Sequence, residues 1–264
     1  MSTLTVTLVQ TDLHWEDPTL NRQLLGEKIR SFMAKTELVI LPETFTTGFS
    51  MQPEKLAETM DGATLHWMRQ IAAEKKIILA GSLLIKDNDD YFNRLIWMLP
   101  NGQYGYYDKR HLFAYGGEGQ SISSGKKRLI ASVKGWKINL QVCYDLRFPA
   151  WSRNGLDENG QPLYDVLVYV ANWPAPRIQA WKTLLQARAI ENQCYVIGVN
   201  RIGRDGKNLD YTGYSMVIDP LGEILHQLGE EECMVTVLLA KERLDAVRKK
   251  LPFLEDGDHF DISI

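Results

Sequence analysis

The stretch Trp136-Lys137-Ile138-Asn139-Leu140-Gln141-Val142 alternates apolar and polar residues without a break and runs directly into Cys143. A period of two is the pattern of a half-buried β-strand. Shortly beyond stands Pro149, which suits the first turn of a helix because its missing N–H has no intrahelical partner there. Cys143 therefore falls where a strand turns into a helix. A side chain at such a point is held on a rigid element and directed out of the sheet, as at a nucleophile elbow. The backbone N–H groups that follow lie near a helix N-terminus and can receive a developing oxyanion. A lone cysteine more often serves as a small buried hydrophobe, so a chemical role for Cys143 requires partners.

Two candidates also sit at strand ends. The apolar run Glu37-Leu38-Val39-Ile40-Leu41 is broken by Pro42, and Glu43 follows, ahead of the hydroxyl- and aromatic-rich loop Thr44–Ser50. A carboxylate at the mouth of a buried strand, beside Phe45 and Phe49, has its pKa raised by desolvation, as a general base near neutral pH requires. In isolation a solvated loop residue is the favoured reading. The second candidate is Lys109, at the end of the strand Tyr104-Gly105-Tyr106-Tyr107-Asp108 that follows an Asn101-Gly102 hairpin turn. An acid, a cation and a thiol on three strand ends can converge on one edge of a sheet.

Strands are expected at Leu4–Gln10, Glu37–Leu41, Ile77–Ile85, Tyr91–Leu99, Asp165–Ala171 and Tyr195–Arg201. Helices are expected after Asp17-Pro18, around Leu65–Lys75, over Ile178–Asn192 and over Lys241–Leu251. Helices interleaved with many strands, several joined by hairpins, predict an α/β fold of two mixed sheets with helices outside. No linker interrupts the pattern, so residues 1–264 read as one domain.

Composition narrows the function classes. The net charge is −3, and the basic runs Gly125-Lys126-Lys127-Arg128 and Val247-Arg248-Lys249-Lys250 are short, so nucleic acid is not an expected partner. The start lacks the pattern of a signal peptide, and no apolar run reaches the ~18–20 residues of a membrane span. Three cysteines without paired spacing fit a reducing cytoplasm, with Cys194 and Cys233 read as buried hydrophobes. No CxxC, HxxxH or HExxH spacing occurs, and no glycine-rich phosphate loop follows a strand, so neither a metal nor a cofactor is expected. Of the five histidines only His111 lies near these motifs, leaving a Cys–His hydrolase as a formal rival.

Leu41-Pro42-Glu43, Tyr107-Asp108-Lys109-Arg110-His111-Leu112 and Cys143-Tyr144-Asp145-Leu146-Arg147-Phe148-Pro149 together resemble, in order and spacing, the three signature blocks of the carbon–nitrogen hydrolase (nitrilase) superfamily. The resemblance extends to Val170-Ala171-Asn172-Trp173-Pro174 and the Gln186–Asn192 segment. It implies a four-layer α-β-β-α sandwich, a homodimer or higher homo-oligomer, and a Glu43–Lys109–Cys143 triad. Glu118 fits a second glutamate often found with that triad, although Ile122 stands where the family usually has an aromatic; an ordinary loop carboxylate is the alternative.

In the chemistry so implied, Glu43 takes the thiol proton and Cys143 attacks an amide carbonyl. Lys109 and the N–H of Tyr144 hold the oxyanion, each such donor worth about 3–4 kcal/mol. Ammonia leaves, and water releases the acid from a thioester, with Glu118 positioning that water. The wording of the cysteine block resembles the omega-amidase branch, whose substrates are short α-keto dicarboxylate monoamides such as 2-oxoglutaramate. Arg147 is then a candidate for the distant carboxylate or a structural brace, and Phe45, Tyr144 and Trp173 are candidate walls or core residues. A nitrilase or N-carbamoyl hydrolase shares the triad, and a non-catalytic binding module shares the fold. The alternating tail Asp258–Ile264 is expected to dock as a strand on a partner subunit, with a frayed terminus as the alternative.

Overall fold

In the computed structural model, which describes residues 2–263, the apolar residues partition into three separate cores, and these define the layers. The strands are Thr3–Gln10 (β1), Leu38–Ile40 (β2), Ile78–Asp87 (β3), Asp90–Met98 (β4), Tyr104–Asp108 (β5), Ile130–Val133 (β6), Trp136–Val142 (β7), Val166–Ala171 (β8), Tyr195–Asn200 (β9), Ile202–Arg204 (β10), Asp210–Thr212 (β11), Met216–Ile218 (β12), Ile224–Gln227 (β13) and Cys233–Ala240 (β14). The α-helices are Pro18–Ser31 (α1), Pro53–Leu56 (α2), Ala63–Lys75 (α3), Pro149–Ser152 (α4), Ile178–Asn192 (α5) and Lys241–Lys250 (α6).

One sheet has the order β14-β1-β2-β3-β4-β5 and the other β13-β12-β9-β8-β7-β6. Each is mixed: β1, β2 and β3 run parallel in the first, and β7, β8 and β9 in the second, with antiparallel neighbours outside. Because side chains alternate across a strand, Leu38 and Ile40 face the second sheet, where they join Ile138, Leu140 and Val168. Val39 turns the other way and packs with Ile29 of α1 and Met68 of α3. On the far side, Leu167 and Val196 pack beneath Trp181 and Leu185 of α5. The result is the α-β-β-α sandwich.

Several local expectations are corrected. β7 is buried on both faces, not one: Asn139 and Gln141 are fully buried, the latter donating toward the Trp151 carbonyl of α4. Parallel strands are covered by their crossover helices, so alternation there does not signal exposure. The turn after β7 is a 3₁₀ helix, Cys143–Arg147, before α4 begins at Pro149. Cys233 is partly exposed, because it opens the edge strand β14. Within the chain residues 258–263 pair with no strand, and Ile262 packs against the edge of the inter-sheet core. Among the described residues no helix is long and apolar enough to cross a membrane.

Candidate active site

The site is built at the carboxyl ends of strands, the edge where α/β sheets form ligand crevices. Pro42 ends the β2 ladder and Glu43 follows; β5 delivers Lys109, β7 delivers Cys143 and β8 delivers Asn172. Glu43, Lys109 and Glu118 are all at most 1% exposed. Lys109 Nζ donates to Glu43 Oε1 at 2.9 Å and to Glu118 Oε1 and Oε2 at 3.0 and 2.8 Å. Asn93 Nδ2 donates to Glu43 Oε1 at 2.8 Å, and the N–H of Asn172 to Glu43 Oε2 at 2.7 Å. The Phe113 N–H donates to Glu118 Oε2 at 2.7 Å. Two carboxylates and one ammonium are thus packed away from water with their lone pairs occupied, the condition under which buried charge is tolerated.

The electrostatics follow from this packing. Burial works to discharge Lys109, yet Glu118 and then Glu43 hold its ammonium above the ordinary lysine value. Burial pushes Glu118 up; Lys109 pulls the other way and Glu43 adds to the rise. Burial, and then the negative Glu43, push the Cys143 thiol well above its ordinary range against the pull of Lys109. Cys143 is therefore held as a thiol, which needs a base before it can act as a nucleophile.

Cys143 sits on a strained turn, with φ of +44°, a left-handed conformation that costs a non-glycine residue about 1–3 kcal/mol. Asp145 holds that turn in place. Its Oδ2 accepts from the Val142 N–H at 3.1 Å and from the Tyr107 hydroxyl at 2.7 Å. Its Oδ1 accepts from the His111 N–H at 2.9 Å and lies 2.8 Å from His111 Nδ1. The elbow and the strand end that carries Lys109 are tied together by one fully buried carboxylate. His111 also stacks on Phe148 at 3.8 Å and is not among the residues lining the cavity with Cys143, so its contacts brace the elbow.

Above the thiol lies a narrow cavity of about 50 Å³, walled by Phe49, Phe113, Tyr144 and Trp173 with Leu209 and Tyr211 at its margin. Asn172, Arg147 and Arg177 also line it. The Arg147 guanidinium lies 5.0 Å from the Trp173 ring and that of Arg177 5.2 Å from Phe113. Among the described residues neither of these half-buried arginines has a carboxylate partner, whereas the buried guanidinium groups of Arg94, Arg188 and Arg201 each do.

Of the residues singled out from sequence, the structure brings Glu43, Lys109, Glu118 and Cys143 into one cluster and puts Tyr144, Arg147 and Trp173 on the cavity wall. Phe45 does not join them. It is fully buried under the helical layer, 5.8 Å from Trp67, and its place at the wall is taken by Phe49. The reason is the tight bend at Thr44, φ +40°, which turns the next residue back toward β3. Asn93, Phe113, Asp145, Asn172 and Arg177 were not singled out as site residues. Asn172 had a usable signal, a polar residue immediately past a strand end; Arg177, in the turn before α5, and Asn93, within β4, had none. Among the described residues no group of three or more His, Cys, Asp or Glu side chains is arranged to hold a metal ion.

A thiol, a buried base and a fixed ammonium around one cavity are the equipment for hydrolysis at an acyl carbon. The chain belongs to the carbon–nitrogen hydrolase family, whose model matches residues 5–249, and it is a hydrolase acting on C–N bonds. It is 41% identical over 263 residues to the omega-amidase YafV of Yersinia enterocolitica, covering 98% of this chain and 99% of that one. It is 32% identical over 255 residues to the 2-oxoglutaramate amidase of Bacillus subtilis, with 96% of each chain covered. A solved Xanthomonas campestris protein of the same superfamily, carrying an arsenic adduct in its active site, is 46% identical and superimposes with a TM-score of 0.97 over 100% of both chains.

Proposed function

We propose that this protein hydrolyses the terminal amide of a short α-keto dicarboxylate monoamide, of the 2-oxoglutaramate or 2-oxosuccinamate type, through a Cys143 thioester. The observation that carries the reading is the pair of guanidinium groups, Arg147 and Arg177, lining the cavity with Cys143 and lacking carboxylate partners among the described residues. A substrate with a carboxylate at the end remote from its amide supplies what they lack, through charge-assisted and bidentate hydrogen bonds. The names of the relatives, omega-amidase and 2-oxoglutaramate amidase, support the same choice.

In this mechanism Glu43 accepts the thiol proton as Cys143 Sγ forms a bond to the amide carbon. Lys109 and the Tyr144 N–H receive the negative oxygen; Tyr144 lies in the first turn of its short helix, where N–H groups have no intrahelical acceptor. The C–N bond then breaks, its electron pair stays on nitrogen, and Glu43 returns the proton, so that ammonia leaves and a thioester remains. Water attacks that thioester with Glu43 again as base, and Glu118 fixes the Lys109 ammonium throughout. The test is ammonia release from 2-oxoglutaramate, glutamine, a simple aliphatic amide, a nitrile and an N-carbamoyl amino acid. Preference for the α-keto amide supports the reading; preference for another member of the panel rejects the substrate assignment.

A further inference from the structure

The amide side chain of Asn172 is half employed. Its Nδ2 donates to the Glu43 carbonyl at 2.9 Å and to Thr44 Oγ1 at 2.8 Å. These two acceptors fix which end is which, since a carbonyl oxygen facing the Glu43 carbonyl would be repelled. The other end, Oδ1, is buried and has no donor within the protein among the described residues, and the residue is only 5% exposed. Asn200, at the end of the next strand, has both ends employed: Oδ1 accepts from the Trp173 and Arg201 N–H groups and Nδ2 donates to the Trp173 and Gly213 carbonyls. An orphaned buried acceptor is destabilising and calls for a donor. Other buried side-chain acceptors lack one too, Asn93 Oδ1 and Gln141 Oε1 among them, but of these residues Asn172 alone also lines the Cys143 cavity.

We propose that Asn172 Oδ1 accepts an N–H of the scissile carboxamide and holds the nitrogen as it becomes ammonia. The inference rests on amide hydrolysis at Cys143 and is independent of the acyl portion. A primary amide brings one acceptor and two N–H donors. Its oxygen goes to Lys109 and the Tyr144 N–H; of the other polar side chains on the wall, Arg147 and Arg177 have only donors to offer, and the Tyr144 and Tyr211 hydroxyls, which can donate as well as accept, are not orphaned acceptors as Asn172 Oδ1 is. On Glu43, Oε1 already accepts from Lys109 and Asn93, and Oε2 from the Asn172 N–H. When Glu43 returns its proton, the nitrogen lone pair must face that carboxyl group. The two N–H bonds then point elsewhere and need an acceptor of their own. Asn172 supplies it from a residue whose backbone already holds the base, so the acceptor and Glu43 are positioned as one unit.

The test compares kcat/KM for a primary amide with that for the methyl ester of the same acid, whose leaving group carries no N–H. The amide is the panel member that wild type turns over fastest. In Asn172→Ala the amide-to-ester ratio is expected to fall roughly tenfold or more. Asn172→Asp, assayed at a pH where its carboxyl is protonated so that the oxygen replacing Nδ2 still donates to the Glu43 carbonyl, keeps an oxygen at Oδ1 and serves as the second variant if the alanine protein does not fold; its ratio is expected to stay within about threefold of wild type at the same pH. Equal losses on amide and ester in Asn172→Ala, or a fall of about tenfold in the Asn172→Asp ratio, would overturn the inference and leave Asn172 a support for Glu43 only. Wild type turning over the ester but no amide would remove the amidase reading and this inference with it, whereas turnover of a different amide would leave the inference standing.

Discussion

Replacing Asp145 by asparagine tests how the strained elbow is held. The carboxylate takes four donors, two on each oxygen: Val142 N–H and Tyr107 O–H on Oδ2, His111 N–H and the His111 ring on Oδ1. Asparagine keeps one oxygen. If its nitrogen faces Val142 and Tyr107, both lose their acceptor. The Tyr107 oxygen cannot reverse roles, because it already accepts from Trp151 Nε1 and the Arg110 N–H. If the nitrogen faces His111, the ring can change tautomer and accept, and only the backbone N–H is stranded. The cheaper orientation therefore costs one unsatisfied buried N–H and the lost charge assistance, about 2–4 kcal/mol. Equilibrium urea unfolding followed by tryptophan fluorescence should register that loss. kcat/KM should fall as well, since the left-handed turn at Cys143 is then pinned less firmly to the strand end bearing Lys109, through Tyr107 and the His111 ring without the His111 N–H. A loss below about 1 kcal/mol with unchanged kcat/KM would refute the assignment of Asp145 as the anchor.

Further outcomes follow from the same geometry. Arg147→Met and Arg177→Met should each lower kcat/KM for an α-keto dicarboxylate monoamide about 10- to 100-fold while sparing an aliphatic amide without a carboxylate, the loss expected for a hydrogen bond to a charged group. Glu118→Gln should lower kcat by about 100-fold with a smaller change in KM, because Lys109 loses one of its two buried carboxylates. Stability should decline at alkaline pH. The unfolded thiol ionises from about pH 8.5, whereas the folded Cys143 thiol is held un-ionised to higher pH by burial and Glu43. Its contribution is thus fully present below about pH 8.5 and is lost as pH rises toward the folded value. Cys143→Ala should flatten the alkaline slope of the urea midpoint by up to one proton.

The Glu43–Lys109–Cys143 cluster was legible because each residue marks a sharp end to a readable strand, and the two mixed sheets bring the ends of β2, β5 and β7 to one edge of the sandwich. The layers were legible because period-two and helical apolar patterns alternate along the chain. Other features were not local. Asn139 and Gln141 look like solvent-facing residues until a helix covers them. Phe45 and Phe49 are equivalent in composition, and only the bend at Thr44 decides which reaches the cavity. Asn93 acts across the sheet on residues distant in sequence, at Glu43 and Glu118, so no spacing rule could have singled it out. Asp145 stood inside the recognised cysteine block, but its partners Tyr107 and His111 come from another sheet's strand end.

The central claim is that Cys143 carries the acyl group. Acid quench during steady-state turnover of the preferred amide, followed by peptide mass spectrometry, tests it directly. An adduct of the acyl mass is expected on the peptide containing Cys143, with no adduct and no ammonia release from Cys143→Ala. Ammonia release by Cys143→Ala at a rate near wild type would contradict it.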